Sequence, residues 1–417
     1  YEPRTASLGV DDPAKWDLWA AVTLAFTPAA PVDDFSLFAD RPNQAMVCLD
    51  ALFQRGLHVA LYGERGVGKT SLANVLPQIV RQADLNSVRV DCGTTADYRS
   101  IWRSVFRDLG APLPESDWAA PLDPEEVRYR FQQLPNRRAL VVIDELDRVE
   151  DNEGLTLLAD TVKTLADHAV PVTLMFVGVA DSVEALLGEH ESIVRSIVQV
   201  RMPRMSHDEL AATLDKASDR AHITMEDDCK ARIVRDAEGL PHFVHLLGLH
   251  AAQNAVSDDR DVVTLGDLER AVLRAVDSHS VLSEYQKATQ SPQPGHLFEE
   301  VLLACAFAPR NDLGFFRSGD VREPLSSIVG REMIIPNFQR HLNELSSSNR
   351  GFTLQKEGIP RHYVYRFTNP ILQPFVKLRG RAKSMITEGV RIKLQARQEE
   401  LDAPTLFDRP NGLERPS

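Results

Sequence analysis

The spacing of apolar residues along this chain is that of strands in one region and of helices in the next. Between residues 57 and 202, short apolar-rich runs stand at 57–61, 88–92, 139–143, 172–177 and 198–202. Runs of this length, bounded by polar turns, predict strands buried on both faces, as in a parallel sheet. The stretches 97–109, 124–134 and 155–166 repeat their apolar residues at helical spacing, and proline-dotted 110–123 reads as a loop. Strands alternating with helices predict an α/β fold, a parallel sheet covered on both faces, with ligands at the carboxyl ends of the strands. Two further helical patterns, 16–26 and 45–53, precede the first strand.

From residue 206 the pattern turns wholly helical, at 206–220, 226–237, 241–255 and 265–277, which predicts an all-helical segment after the sheet. A polar stretch ending in Ser291-Pro292-Gln293-Pro294-Gly295 reads as a linker. Beyond it, 296–380 reads as helix, helix, helix, β-hairpin, helix, the order of a winged helix. In the third of these helices Phe338, Leu342 and Leu345 face a core, which leaves Asn337, Arg340, His341 and Glu344 outward. The domains expected are an N-terminal extension (1–40), an α/β core (41–205), a helical segment (206–280) that the family resemblance below makes a lid, a linker (281–295), a winged helix (296–380) and a polar tail (381–417). No internal repeat is visible.

Chemistry enters at HVALYGERGVGKTSLANVL, residues 58–76. A turn between a strand and a helix needs fewer glycines and no lysine. Phosphate binding needs both, because glycines let successive N–H groups approach one anion and the helix adds the positive end of its dipole. The spacing Gly63-x4-Gly68-Lys69-Thr70 matches GxxxxGK[ST] in full, so Gly63, Glu64, Arg65, Gly66, Val67, Gly68, Lys69, Thr70 and Ser71 form a P-loop. Lys69 is expected to reach the β- and γ-phosphates of ATP or ADP, and Thr70 to ligate Mg²⁺. Downstream, ALVVIDELDRV (139–149) ends a buried run in two acids. Asp144 is placed to hold the Mg²⁺ shell opposite Thr70, and Glu145 to polarise a water for attack on the γ-phosphate.

Composition changes this picture in one place. The 417 residues, 43% hydrophobic and 26% charged, describe an ordinary globular chain of two or three domains. Four scattered cysteines, Cys48, Cys92, Cys229 and Cys305, fit a reducing cytosol and argue against a zinc site. No apolar run reaches the roughly 18 residues of a membrane span, and no signal-peptide pattern is present, so a cytoplasmic protein is expected. The net charge of −13, however, is unevenly spread. Residues 296–396 hold 15 Lys and Arg against 9 Asp and Glu, a net of +6, which leaves −19 on the remainder. Lys356, Arg361 and Arg366 fall on the expected hairpin, and Lys377, Arg379, Arg381 and Lys383 extend the basic run. With Arg340, these predict duplex DNA as a partner, a helix in the major groove and the wing on the backbone. The alternative is a winged helix that contacts protein or inhibits its own chain.

The order of these motifs, with one strand between the P-loop strand and the Asp-Glu strand and a helical segment after the sheet, resembles that of AAA+ ATPases. Within them the chain is similar to the Orc-type initiators of archaea and their bacterial relatives. VRVDCGTTADYRSIW from Val88 resembles their strand ending in Asn-Cys, with Asp91 at the Asn. SIVRSIVQVRMPRMSHDEL from Ser192 and DVVTLGDLERAV from Asp261 resemble their segments before the lid and in its last helix, and EGLPHFVHLLGLHAA from Glu238 stands where they carry GDAR.

The resemblance covers about 41–277. It implies Asp181 as the residue that reads the γ-phosphate, Arg195 as an arginine finger acting on a neighbour's nucleotide, and Arg41 and His242 among the nucleotide-binding residues. Asp181 also reads as a helix N-cap, and Arg195 as a surface arginine. His242 replaces the lid arginine, and neutral imidazole is no substitute for guanidinium against a phosphate, so slow hydrolysis is expected. Two functions follow. One is an AAA+ switch that assembles on DNA, as in initiation, transposition or mobile-element defence. The other is a STAND-like signalling ATPase in which nucleotide exchange releases a protein partner or drives homo-oligomerisation.

Overall fold

The computed structural model describes residues 13–31, 41–80, 85–113, 122–134, 138–187, 191–292, 295–311, 313–360 and 362–402. The chain divides into two compact units, Tyr1–Ala271 and Val272–Ser417.

In the first unit, α1 (Pro13–Ala25) and α2 (Pro42–Phe53) lead into β1 (His58–Gly63) and α3 (Lys69–Val80). There follow β2 (Asn86–Asp91), α4 (Tyr98–Asp108), α5 (Pro124–Gln133), β3 (Ala139–Asp144), α6 (Asn152–Asp167), β4 (Val172–Val179), α7 (Val183–Leu187) and β5 (Ile197–Arg201). All four sheet contacts are parallel, in the order β2-β3-β4-β1-β5. The five strands are those the apolar runs predict, with ends moved by one or two residues.

Burial explains why the runs of β3 and β4 are the most apolar, whereas β2 and β5 carry polar residues between apolar ones. Every residue of β3 is buried, and β4 is buried except at Val179, because helices cover both faces of the sheet. Trp102, Phe106 and Phe131 pack edge-on and tilted on one of those faces, with ring centroids 5.1–6.1 Å apart.

The lid is α8 (His207–Ala221), α9 (Asp227–Asp236), α10 (Pro241–Ser257) and α11 (Leu265–Ser278), with a small parallel pair, β6 (Thr224–Met225) and β7 (Val262–Val263). A capping box starts α8. The Ser206 Oγ accepts from Glu209 N, and the Glu209 carboxylate accepts from Ser206 N at 2.7 Å. Helix α1, from the expected N-terminal extension, packs on α8 and α10 and buries Val22 and Ala25. The division between the two units falls inside α11.

The second unit contains α12 (Leu282–Thr289), α13 (Phe298–Ala306), β8 (Phe316–Arg317), α14 (Ser318–Val329), α15 (Ile335–Leu345), β9 (Leu354–Glu357), β10 (Val364–Phe367), α16 (Leu372–Ala382) and α17 (Glu388–Asp402). The order α13-β8-α14-α15-β9-β10, with an antiparallel β8-β10-β9 sheet, is that of a winged helix. Phe338, Leu342 and Leu345 are fully buried, as their spacing predicts.

Two segments correct the sequence reading. Residues 282–289 form a helix, not a linker, because Tyr285, Ala288 and Thr289 sink into the second unit. Much of the expected polar tail is helix α17, in which Arg391 and Leu394 are buried. Among the described residues no helix is long and apolar enough to cross a membrane. All four cysteines are buried free thiols.

Candidate functional site

Strand β1 delivers the loop that precedes α3 at the carboxyl edge of the sheet. Three of its glycines have positive φ: Gly63 at 146°, Gly66 at 88° and Gly68 at 94°. At Gly63 a Cβ would lie 2.4 Å from the Met202 carbonyl oxygen, so only glycine lets the loop leave the sheet here. The loop curls around the Lys69 amine. That Nζ is almost wholly buried and donates to the carbonyls of Gly63 at 3.0 Å and Glu64 at 2.8 Å. Burial pulls its pKa down to about 8, against the attraction of Asp147, Asp144 and Glu64. Thr70 and Ser71 open helix α3, Arg65 is exposed at the tip of the loop, and Val67 is buried beneath it.

Asp144 ends β3 beside Asp91, its register partner at the end of β2. Its Oδ1 accepts from Glu145 N at 2.8 Å, and the Thr70 hydroxyl bonds to the same carboxylate. Burial pushes the Asp144 pKa upward. The Arg89 guanidinium lies 3.0 Å from Oδ2, yet that buried oxygen accepts no hydrogen bond of good geometry. Glu145 adopts a left-handed conformation (φ 56°, ψ 34°), and its half-exposed carboxylate is ion-paired to Arg148 at 2.6 Å. Sequence reasoning missed Asp147, whose Oδ1 accepts from Val179 N at 2.7 Å and ties the turn after β3 to the end of β4.

Asp181 is exposed two residues past β4, and Ser182, not Asp181, caps α7 by accepting from Ala185 N. Arg195 lies just before β5, whose first residue pairs with His58 at the start of β1. The full length of β1, roughly 15–20 Å at the rise of a strand, therefore separates Arg195 from its own P-loop. There it is ion-paired to Asp167 at 2.9 Å and highly exposed.

Arg41 bonds to the loop directly, and His242 lies within electrostatic reach of Arg65 at its tip. Arg41 is fully buried. It donates to the Pro203 carbonyl at 2.8 Å and the Val67 carbonyl at 3.5 Å, and its Nε lies 3.6 Å from the Glu209 carboxylate. His242, at the start of α10, donates from Nδ1 to the Pro28 carbonyl at 2.8 Å. Burial, with a smaller push from nearby Arg65, lowers the ring's pKa below the usual imidazole value, against the Pro28 carbonyl, which raises it. The ring is thus neutral near pH 7, with its proton on Nδ1, and Nε2 is an acceptor facing away from Pro28. A further link is Arg204, which donates to Glu64 Oε2 at 2.7 Å and to the Glu238 carbonyl at 3.0 Å, joining P-loop to lid.

In the second unit, Arg340 is exposed on α15 and ion-paired to Glu344 one turn on, at 2.6 Å. Lys356 donates to Asn343 at 2.9 Å and stacks over the Tyr363 ring. Arg366 donates to Gln355 at 2.7 Å and lies 4.5 Å from the Phe315 ring centre. Lys356, Asn343, Gln339 and Tyr363 line one cleft between α15 and the hairpin. Arg361 lies outside the described residues.

Residues 53–187 match the family described as AAA domain, which spans β1 through α7. No curated protein matches the sequence. The fold is similar to that of the Aeropyrum pernix ORC2 protein, solved in ADPNP and ADP complexes, at 16% identity and a TM-score of 0.51, over 87% of this chain and 98% of that one. It is equally similar to the Walker-type ATPase PABY2304 of Pyrococcus abyssi, at 15% identity and a TM-score of 0.51, over 85% of this chain and 99% of that one. Residues 53–187 thus match an AAA domain, within a chain whose fold is similar to those of the Aeropyrum pernix ORC2 protein and the Pyrococcus abyssi ATPase.

Proposed function

We propose that this chain is an ATP-binding, slowly hydrolysing AAA+ switch that assembles with duplex DNA. The observation that carries the nucleotide half is that Lys69 and Asp144 are both buried, Lys69 within the glycine-rich loop and Asp144 at the end of β3. Lys69 satisfies its amine on two loop carbonyls, and Asp144 keeps one buried oxygen without a good donor. Both are groups whose natural partners are a phosphate and a cation, so the residues present fit Mg²⁺ and a nucleoside triphosphate. The neighbour from Aeropyrum pernix, solved with ADPNP and ADP, supports the same reading.

In this reading the loop N–H groups from Gly63 to Ser71 bind and orient the phosphates, and Lys69 moves from the loop carbonyls to the β- and γ-oxygens. Thr70 and Asp144 would hold Mg²⁺, which when bound neutralises phosphate charge. Glu145, once free of Arg148, takes a proton from the attacking water. Asp181 stands by position to contact the γ-phosphate. Arg41, buried under Val67, holds the floor of the loop, and neutral His242 leaves the lid without a cation for the nucleotide. Arg195, distant from its own loop, completes the site of a neighbouring copy. That makes a homo-oligomer part of the proposal and predicts slow turnover in isolated chains.

The DNA half rests on the net +6 of residues 296–396 and on the exposure of Arg340 beside the wing. Arg340, Lys356 and Arg366 are each engaged by neutral or acidic neighbours, contacts weak enough at a surface to be exchanged for phosphates. One observation favours the second reading, a winged helix that contacts protein: Glu344 on the exposed face of α15 partly cancels Arg340. The separating experiment is ATP turnover by the intact chain with and without unrelated duplexes. A rise on adding duplex supports the DNA switch, and no change at low salt favours the signalling ATPase.

A further inference from the structure

Strand β2 carries Arg89 and Asp91 on the same face, two residues apart, while Val88 and Val90 point into the core. On that face the Arg89 guanidinium meets three partners. Nη2 lies 2.6 Å from Asp91 Oδ1 and 3.0 Å from Asp144 Oδ2, Nε donates to Asp91 at 3.0 Å, and Nη1 donates to Asn74 on α3. Asp91 is largely exposed, whereas Asp144 is buried. The guanidinium therefore sits between a carboxylate in solvent and the one carboxylate placed to hold a divalent ion.

A buried carboxylate without a cation is costly to ionise. Arg89 supplies that charge from the neighbouring strand. Its approach to Asp144 is close but poorly aligned, as the unbonded Oδ2 shows, while its contacts with Asp91 are short and well formed. Such a cation can be moved off Asp144 without losing its anchor.

We propose that Arg89 is a built-in counter-ion for Asp144, displaced toward Asp91 when Mg²⁺ and nucleotide bind, so that it sets how much Mg²⁺ the site requires. This rests on the nucleotide reading above. Arg89 is a positioning residue for Asp144, and the two ends of its clamp act in opposite directions. Removing Arg89 relieves competition for Asp144. Neutralising Asp91 leaves the guanidinium with Asp144 as its remaining carboxylate partner here and strengthens the competition.

The test is a Mg²⁺ titration of the intact chain at a fixed concentration of a fluorescent ATP analogue, reading binding and not turnover. Arg89→Gln is expected to lower the Mg²⁺ concentration at half-saturation by about two- to five-fold, the range of a partly exposed ion pair, and Asp91→Asn to raise it by a similar factor. Asp91 is exposed, so that variant keeps the test alive if Arg89→Gln folds poorly. If both variants bind the analogue at saturating Mg²⁺ with unchanged midpoints, or if both midpoints rise, the counter-ion role is overturned while the nucleotide site stands. If the unsubstituted chain binds no analogue at any Mg²⁺ concentration, both readings fall.

Discussion

Glu145 and Arg148 are locked together at 2.6 Å across a single turn, with Glu145 held in a left-handed conformation. The residue proposed to activate water is thus paired to a cation of its own chain. An exposed pair of this kind is worth only about 0.2–1 kcal/mol, so it restrains Glu145 without disabling it. Arg148→Ala is expected to raise ATP turnover by up to about fivefold with little change in nucleotide affinity. Steady-state turnover beside direct binding checks this; a fall in turnover would give Arg148 a positive part in the chemistry.

Arg195 is expected to act only across a subunit boundary. Its place at the opposite end of β1 from the P-loop leaves it no other phosphate to reach. Turnover per chain should rise with protein concentration. Arg195→Ala should lose on the order of 10³-fold in turnover while keeping nucleotide binding. A rate per chain that is flat across the monomer–oligomer range contradicts it.

Much of the α/β core was legible because burial on both faces makes its strands plain in the apolar pattern, and because the P-loop spacing is set by the size of a phosphate. Asp144 and Glu145 were legible as the acids ending a buried run. What stayed hidden depends on pairing across the fold. Nothing in the local pattern places Arg89 against Asp144, since that contact requires β2 and β3 to lie in register with Asp91 beside Asp144. The hydrogen bond from His242 to Pro28 spans more than two hundred residues and arises only once α1 packs on the lid. Helices α12 and α17 were read as linker and tail because their surfaces are polar. Tyr285 and Leu394, the large apolar residues among those that bury, are too few to set a period. Ser182, not Asp181, holds the cap because it stands directly before α7, which begins at Val183.

The stability of the first unit should fall as pH drops below about 6.5. His58 and His245 are deeply buried, and burial holds both pKa values near about 4. The unfolded chain, with ordinary imidazoles, binds more protons between those values, so folding weakens as pH falls through that window, by on the order of 3 kcal/mol per histidine at its lower end. Thermal melts from pH 7 to pH 5, above the carboxylate range, isolate this effect. His245→Asn, which can still accept from Thr27 N, should flatten part of the slope. A melting temperature independent of pH over that interval contradicts the assignment.

The wing should contact the DNA backbone. Substituting Lys356, Arg361 and Arg366 together with alanine is expected to weaken all duplexes alike and to flatten the log–log salt slope by about one unit per lost phosphate contact. Fluorescence anisotropy on several unrelated duplexes from low to physiological salt measures both. Because the rest of the chain carries −19, binding is sought first at low salt. If the unsubstituted chain binds no duplex there, the protein-contact reading of the winged helix replaces the DNA one.

The central claim is that the cradle around Lys69 binds nucleotide while Glu145 acts only on the attacking water. Titration calorimetry of Mg·ATP into the intact chain, paired with turnover on the same preparations, tests it most directly. Lys69→Ala should weaken binding at least tenfold, the loss of charged hydrogen bonds worth about 1.5–3 kcal/mol each, whereas Glu145→Gln should bind as tightly as the unsubstituted chain and turn over about 10²- to 10⁴-fold more slowly. Equal affinity in Lys69→Ala and the unsubstituted chain, or equal loss of binding in both variants, would contradict it.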